Sequence, residues 1–468
     1  MAKDKKNKQQ AAASAASRQL ADKGPAAGSR GSRWQPAYAR SSADKPAPVD
    51  WKFAIIAGVS VMLLGFTTHI FSLNCGFVLN DRANLDYLYN QTKMVRVAED
   101  SISNLILKPL SQPWTKQSFI SDRSDYGGKI DWFHGANILF HTVAVGYLFM
   151  FVLGFMRQLV NQKRTDINPY YTATATAAIF ATHPITAEAV AYLSARGALL
   201  GTTNYFLSLN FLLVGLLSKN PFVAIGGYAL AVWTGCMSIW SAPEMVSLPA
   251  VALFVALLLR NPLAQWKKSF EENPIPLSLL AVAAVGAPFL ALRGFEPIVA
   301  VNVGTPILNT VSYVASQLKA VPFYYLRCLA FPCGLSIDPP LTVASGFSDP
   351  LVYVGVGIIL AGLYAAWRWR SIYSGLACLF LLAGFVPHAI YIQPDTAADW
   401  VAYMPLAGVA LLGGVFIARR WQRNVHKAMM IFVSLLLLLA DLSIFRDWQW
   451  SSNVTLWTSA LEVRPKSA

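Results

Sequence analysis

The chain has 468 residues, of which 55% are hydrophobic and only 13% charged, and it carries a net charge of +14. So apolar a chain cannot cover a soluble globule of this length. The composition indicates an all-α polytopic membrane protein. The positive charge calls for no nucleic acid, because Lys and Arg gather in the cytoplasmic loops of membrane proteins.

Residues 1–50 are rich in Lys, then in Ala, Ser, Gly, Pro and Arg, with almost no large aliphatic side chains. Such a segment cannot bury a core. It is predicted to be a disordered, basic cytoplasmic tail that touches membrane lipid headgroups. No apolar run follows the first lysines, so it does not read as a cleavable signal peptide. A first span is predicted over about 51–73, which carries the next loop to the outer face. That loop, 75–131, is the longest polar stretch between two spans. It opens Gly76-Phe77-Val78-Leu79-Asn80-Asp81-Arg82. A carboxylate just past a span sits where a lipid-borne substrate meets a water-borne one, so Asp81 is the candidate catalytic base. The alternative is a solvated loop aspartate paired with Arg82.

A second span, 132–155, ends before Arg157, Lys163 and Arg164, a basic inner loop that agrees with this orientation. His134 and His141 share one face of it and read as core histidines; no metal site is expected. Span three, 170–182, stops at His183-Pro184, where the proline breaks the helix. Span four, 201–217, returns to Lys219. Span five, 222–240, reaches the outer turn Ser241-Ala242-Pro243-Glu244. Glu244 is either a second site carboxylate or a turn residue. Span six, 245–259, leads to Arg260, Lys267 and Lys268, and span seven, 276–292, goes out again. Residues 293–350 are half apolar and suit amphipathic or re-entrant helices on the outer side. Within them Arg327 and Asp338 are a possible brace. Spans eight (351–367), nine (373–392), ten (401–417) and eleven (429–440) follow. Arg368 and Arg370 come after the eighth, and Arg419, Arg420, Arg423 and Lys427 after the tenth. The expected organisation is a bundle of about eleven spans over 51–447, with an outer segment 448–468. The five cysteines are scattered and read as small core residues.

Two stretches carry a resemblance. His183-Pro184-Ile185-Thr186-Ala187-Glu188-Ala189-Val190-Ala191-Tyr192-Leu193-Ser194-Ala195-Arg196 is similar to a signature of the transmembrane and tetratricopeptide-repeat O-mannosyltransferases. These are glycosyltransferases of the GT-C fold with bacterial relatives. Tyr324-Tyr325-Leu326-Arg327-Cys328-Leu329-Ala330-Phe331-Pro332-Cys333-Gly334-Leu335-Ser336-Ile337-Asp338 resembles a second stretch of that family. Shorter likenesses lie at Asp399-Trp400-Val401-Ala402-Tyr403-Met404-Pro405 and from Trp457 to the end. The last resembles the start of the family's repeats.

The resemblance implies a GT-C-like bundle and a polyprenyl-phosphate sugar donor, usually mannose. The sugar goes to Ser or Thr of an exported acceptor protein. The attacking hydroxyl must lose a proton, so one carboxylate base is needed, the role expected of Asp81. The lipid phosphate leaves readily and needs cations to hold its charge. Arg196, Arg327, Lys116 and His183 are the candidates; Glu188, Glu244, Asp338 and Tyr403 are supporting residues. Glu188 and Arg196 are eight apart, which on one helix places them on one face as a charge network.

The chain departs from the family pattern in several places. Asn80-Asp81 stands where the family has two adjacent acids. Ala198 replaces an Asp, Trp400 replaces an Arg, and Ser241-Ala242-Pro243-Glu244 lacks a Lys. These losses leave a second reading open: a scaffold that serves as an accessory subunit of a membrane complex. A bacterial inner membrane is the expected location. The triplets Asn90-Gln91-Thr92 and Asn453-Val454-Thr455 are acceptor sequons in an endoplasmic reticulum setting.

Overall fold

The computed structural model describes residues 49–86, 112–127, 129–260, 277–286, 310–369, 371–390 and 396–465. The basic tail up to residue 48, the Asn90 sequon and all of 287–309 lie outside the described residues. Among the described residues all regular structure is helical, and seven helices are long and apolar enough to cross a membrane. The chain is an all-α polytopic membrane protein.

The helices, in chain order, are α1 (Trp51–Thr68), α2 (Pro113–Tyr126), α3 (Ile130–Asn161), α4 (Pro169–Thr182), α5 (Thr186–Ala191), α6 (Arg196–Leu217), α7 (Pro221–Ser241), α8 (Leu248–Arg260), α9 (Thr310–Ala320), α10 (Leu326–Ala330), α11 (Pro350–Trp369), α12 (Ile372–Ile390), α13 (Leu406–Arg423), α14 (Val425–Gln449) and α15 (Asn453–Val463). Local chemistry fixes several starts. Asp50, Asn168, Asn220 and Asn424 each accept backbone N–H bonds at the head of α1, α4, α7 and α14. Pro169 and Pro221 occupy first-turn positions, where no N–H is needed. Ser452 and Thr455 form a reciprocal capping box at α15.

Four expected spans are not long apolar helices of this kind. α4 has 14 residues, and the stretches Pro243–Leu259 and Leu277–Gly286 are shorter apolar helices. α13 reaches 18 residues only by including Arg419, Arg420 and Arg423. The eleventh span, expected to end at 440, runs on as α14 to Gln449. It does so because Arg446 and Asp447 are buried and paired rather than left in a loop.

The bundle has two polar ends. At one, Asp50 N donates to Tyr170 Oη at 2.8 Å and Gln422 reaches Asp166 O. At the other, Gly76 N donates to Ser451 O at 3.1 Å and Thr115 Oγ1 to Ser241 O at 2.9 Å. Between them α4 and α6 are almost wholly buried against α3 and α13. α1, α7, α11 and α14 instead turn Ile56, Phe222, Val232, Leu360 and Leu437 outward, an apolar belt suited to lipid.

Without an aqueous driving force inside a bilayer, helices associate through close packing over small residues. At Gly414 a Cβ would lie 2.8 Å from Thr172 O on α4. Gly414→Ala is therefore expected to pry α13 from α4 and cost about 1–3 kcal/mol. Gly357→Ala on α11, where nothing lies within 4 Å, is the control. Thermal unfolding in detergent distinguishes the two.

Candidate functional site

Asp81 sits at the second end of the bundle, fully buried. Its Oδ1 accepts two bonds from Ser194, 2.9 Å from the amide and 2.8 Å from Oγ. Its Oδ2 takes one long contact of 3.4 Å from Val78 N. Asn84 Nδ2 donates to Ser194 Oγ at 2.9 Å. The reading of Asp81 as a solvated surface aspartate is thereby corrected: the turn folds it inward. Burial pushes its carboxyl up to about 7, against the hydrogen bonds from Ser194, Val78 and Leu193 that favour the charged form.

Asp81, Asn84, Leu85, Gln112, Thr115, Lys116, Phe119, Leu193 and Ser194 enclose a polar cavity of about 40 Å³, room for a few waters. Backbone strain marks the turn leading into Asp81 and one cavity residue, Gln112. Leu79, at φ 51°, holds the left-handed region that bulky residues avoid, and its N–H is fixed by Asn453 Oδ1 at 2.9 Å. Gln112, at φ 54°, does the same at the head of α2. Such conformations persist only where the surroundings over-determine them, and they concentrate at functional sites.

Of the expected phosphate ligands, only Lys116 lines this cavity, half-buried on α2. Arg196 is buried, and each of its three nitrogens is engaged within the protein. Nε donates to Asn137 Oδ1 at 2.7 Å, Nη1 to Asp122 Oδ2 at 2.6 Å and Nη2 to Phe133 O at 2.8 Å. The guanidinium lies 4.0 Å over the Phe119 ring. It joins α2, α3 and α6. The expected pairing of Arg196 with Glu188 along one helix is corrected as well. Tyr192 is extended, at φ −83° and ψ 110°, and separates α5 from the turn before α6.

Glu188 instead accepts from Asp399 N at 2.6 Å. Asp399 is the centre of a second buried group, taking bonds from Tyr324 Oη and, at 3.3 Å, from Arg446 Nη2. Arg327 is exposed beside this group, with its guanidinium 5.8 Å from the Tyr324 ring. Its Nη1 donates to Cys333 O at 2.8 Å. It does not brace Asp338, which pairs with Arg464 at 2.9 Å. His183 ends α4, buried, and its Nδ1 accepts from Ile185 N at 3.2 Å. Burial pushes its imidazole down to about 4, which disfavours the charged form.

Tyr403 lies deep in the core, donating toward His141 at 2.9 Å. Glu244 lines a separate cavity of about 10 Å³ with Trp400 and Met404. Among the described residues no group of His, Cys, Asp and Glu could hold a metal. The cysteines are free thiols, and Cys333 is exposed rather than in the core. Asn453, the second sequon, spends its amide oxygen on Leu79 N.

Sequence reasoning passed over Ser194, Asn84, Asp122 and Arg446. Ser194 stands inside the quoted signature and carried a signal. Asp122 is 74 residues from Arg196 in the chain, and nothing local marks it.

No protein-family profile matches the chain. Over 349 residues, 72% of its length, the chain is 24% identical to a protein O-mannosyl-transferase of Caenorhabditis elegans, and it spans 46% of that relative's length. The similarity supports the O-mannosyltransferase resemblance carried by the motifs.

Two predictions come from this geometry. Arg196→Ala leaves Asp122 beside a vacated, buried site and detaches α2. The expected loss is about 3 kcal/mol, read by thermal unfolding together with faster proteolysis within 113–126. Asp81 holds a proton in the folded chain that the unfolded chain releases above about pH 4. Its burial therefore costs nothing at low pH and progressively destabilises the fold as pH rises toward 7. Asp81→Asn is expected to melt like the parent near pH 4 and above it at pH 8, by on the order of 4 kcal/mol.

Proposed function

We propose that the chain is a glycosyltransferase that moves a sugar, mannose in the first instance, from a polyprenyl-phosphate donor to Ser or Thr hydroxyls of an exported protein. The observation that carries this reading is the buried Asp81 carboxylate, hydrogen-bonded to Ser194 and facing Lys116 across a polar cavity at one end of an apolar bundle. The similarity to an O-mannosyl-transferase supports the reaction class.

In this reading the acceptor hydroxyl gives its proton to Asp81 while its oxygen attacks the anomeric carbon. The bond from that carbon to the phosphate oxygen breaks, and the polyprenyl phosphate leaves with the electron pair. A base with a pKa near 7 suits this work at neutral pH. Lys116, the cation that lines the cavity with Asp81, holds the phosphate. Ser194 fixes the orientation of the carboxylate. Arg196 acts through α2, positioning Lys116, rather than touching the donor.

The end of the bundle that carries Asp81 is the extracytoplasmic one in this proposal. Arg157, Lys163, Arg164, Lys219, Arg419, Arg420, Arg423 and Lys427 lie at the opposite end, together with Asp50 and Asp166 among the described residues. That asymmetry matches the rule that cytoplasmic loops are positive.

The test is transfer in proteoliposomes containing polyprenyl-phosphate mannose and a Ser/Thr-rich peptide. The parent rate is expected to rise with pH to a plateau, with a midpoint near 7, because only the deprotonated base works. Asp81→Asn is expected to lose about 10²–10⁴-fold in kcat, and Lys116→Ala to lose activity mainly through the donor. Full transfer by Asp81→Asn overturns the assignment.

A further inference from the structure

α14 carries an ionisable residue where lipid should be. It is a candidate membrane span, and only 17% of its apolar window is buried. Asp441 lies eight residues before Gln449, roughly 12 Å along the axis, and is exposed. Trp448, exposed on the same face, marks the interfacial level. Asp441 is thus well below that level, within the hydrocarbon. Among the described residues it has no hydrogen-bond or ion-pair partner. Charged side chains inside a bilayer face an interior or a partner, because lipid offers them nothing.

Its surroundings have a pattern. Ile431, Ser434, Leu438, Asp441, Phe445 and Trp448 are all exposed and follow one another at intervals of three and four residues. That is the seam by which one helix packs along another. Ser434 and Asp441 are seven apart, so both polar residues fall in the seam, where hydrogen-bonding groups join transmembrane helices.

We infer that this face of α14 docks a transmembrane helix of a separate protein that carries a Lys or Arg at the depth of Asp441. Charge complementarity selects that partner over a second copy of this chain. A two-fold contact through the seam would bring Asp441 toward its own equivalent and oppose like charges. The inference stands apart from the proposed transfer reaction, since Asp441 touches none of the cavity residues.

The experiment uses the full chain in its native membrane, with Leu438 replaced by a photoreactive benzoylphenylalanine, and mass spectrometry of the adducts. The expected adduct is to one apolar helix containing a Lys or Arg. Its yield falls about tenfold or more in Asp441→Leu, while that variant melts no lower than the parent in detergent. Asp441→Lys combined with the partner's cation changed to Asp restores the yield. If Asp441→Leu does not fold, Asp441→Asn gives the same reading. Adducts to lipid alone, to a second copy, to a helix without a cation, or at a yield indifferent to Asp441 overturn the inference.

Discussion

A guanidinium buried in an apolar bundle must find every partner in its own chain, and Arg196 is the residue around which this end of the molecule is arranged. It donates one bond each to a side-chain oxygen of α3, a backbone carbonyl of α3 and a carboxylate of α2, and it rests on Phe119. α2 is weakly amphipathic, with only Thr115 and Phe119 buried. Apolar packing alone would hold it poorly. The ion pair and the ring contact supply what is missing. Because α2 also contributes Gln112, Thr115, Lys116 and Phe119 to the cavity wall, the geometry opposite Asp81 is inherited from Arg196. An arginine in a motif can shape a cavity without lining it.

The C-terminal half closes the same end with a buried hydrogen-bonded pair and a further buried ion pair. His69 at the end of α1 binds Asp447 at 3.0 Å and Thr186 at 3.0 Å through its two ring nitrogens. Arg446, the neighbour of Asp447 on α14, reaches Asp399, whose backbone is tied to Glu188. These contacts fasten the first, middle and last thirds of the chain around α5. Buried ion pairs add little net stability over a well-packed apolar alternative, but losing one partner is costly. Their effect here is to specify which helix ends meet, a constraint that non-directional apolar packing does not impose.

The class of the protein and most helix positions were legible in the sequence, because hydropathy over about 20 residues is a strong signal. Three features were not legible, each for a definite reason. The eight-residue spacing of Glu188 and Arg196 suggests one helical face, but the extended Tyr192 divides the stretch so that its ring can stack on Trp450 at 5.5 Å. Arg446 and Asp447 look like the start of a loop, yet their partners are 47 and 378 residues away. Asp122 stands in a polar helix with no periodic signature of burial. Pairings at long range leave no local trace, so the sequence identifies charged residues but not their assignments.

The single acid of the Asn80-Asp81 pair is better understood as a different solution than as a loss. Two adjacent carboxylates in one dry turn would each raise the other's pKa, and the pair would share its protons. With Asn80 beside it, Asp81 has burial as the largest cause of its shift. Its hydrogen bonds from Ser194 set a limit on how far burial can push. Leu79 is the backbone cost of that arrangement: a left-handed leucine, pinned by Asn453 at the start of α15, turns the carboxylate away from solvent. The residue that destabilises the fold as pH rises is therefore also the one poised to accept a proton near neutrality.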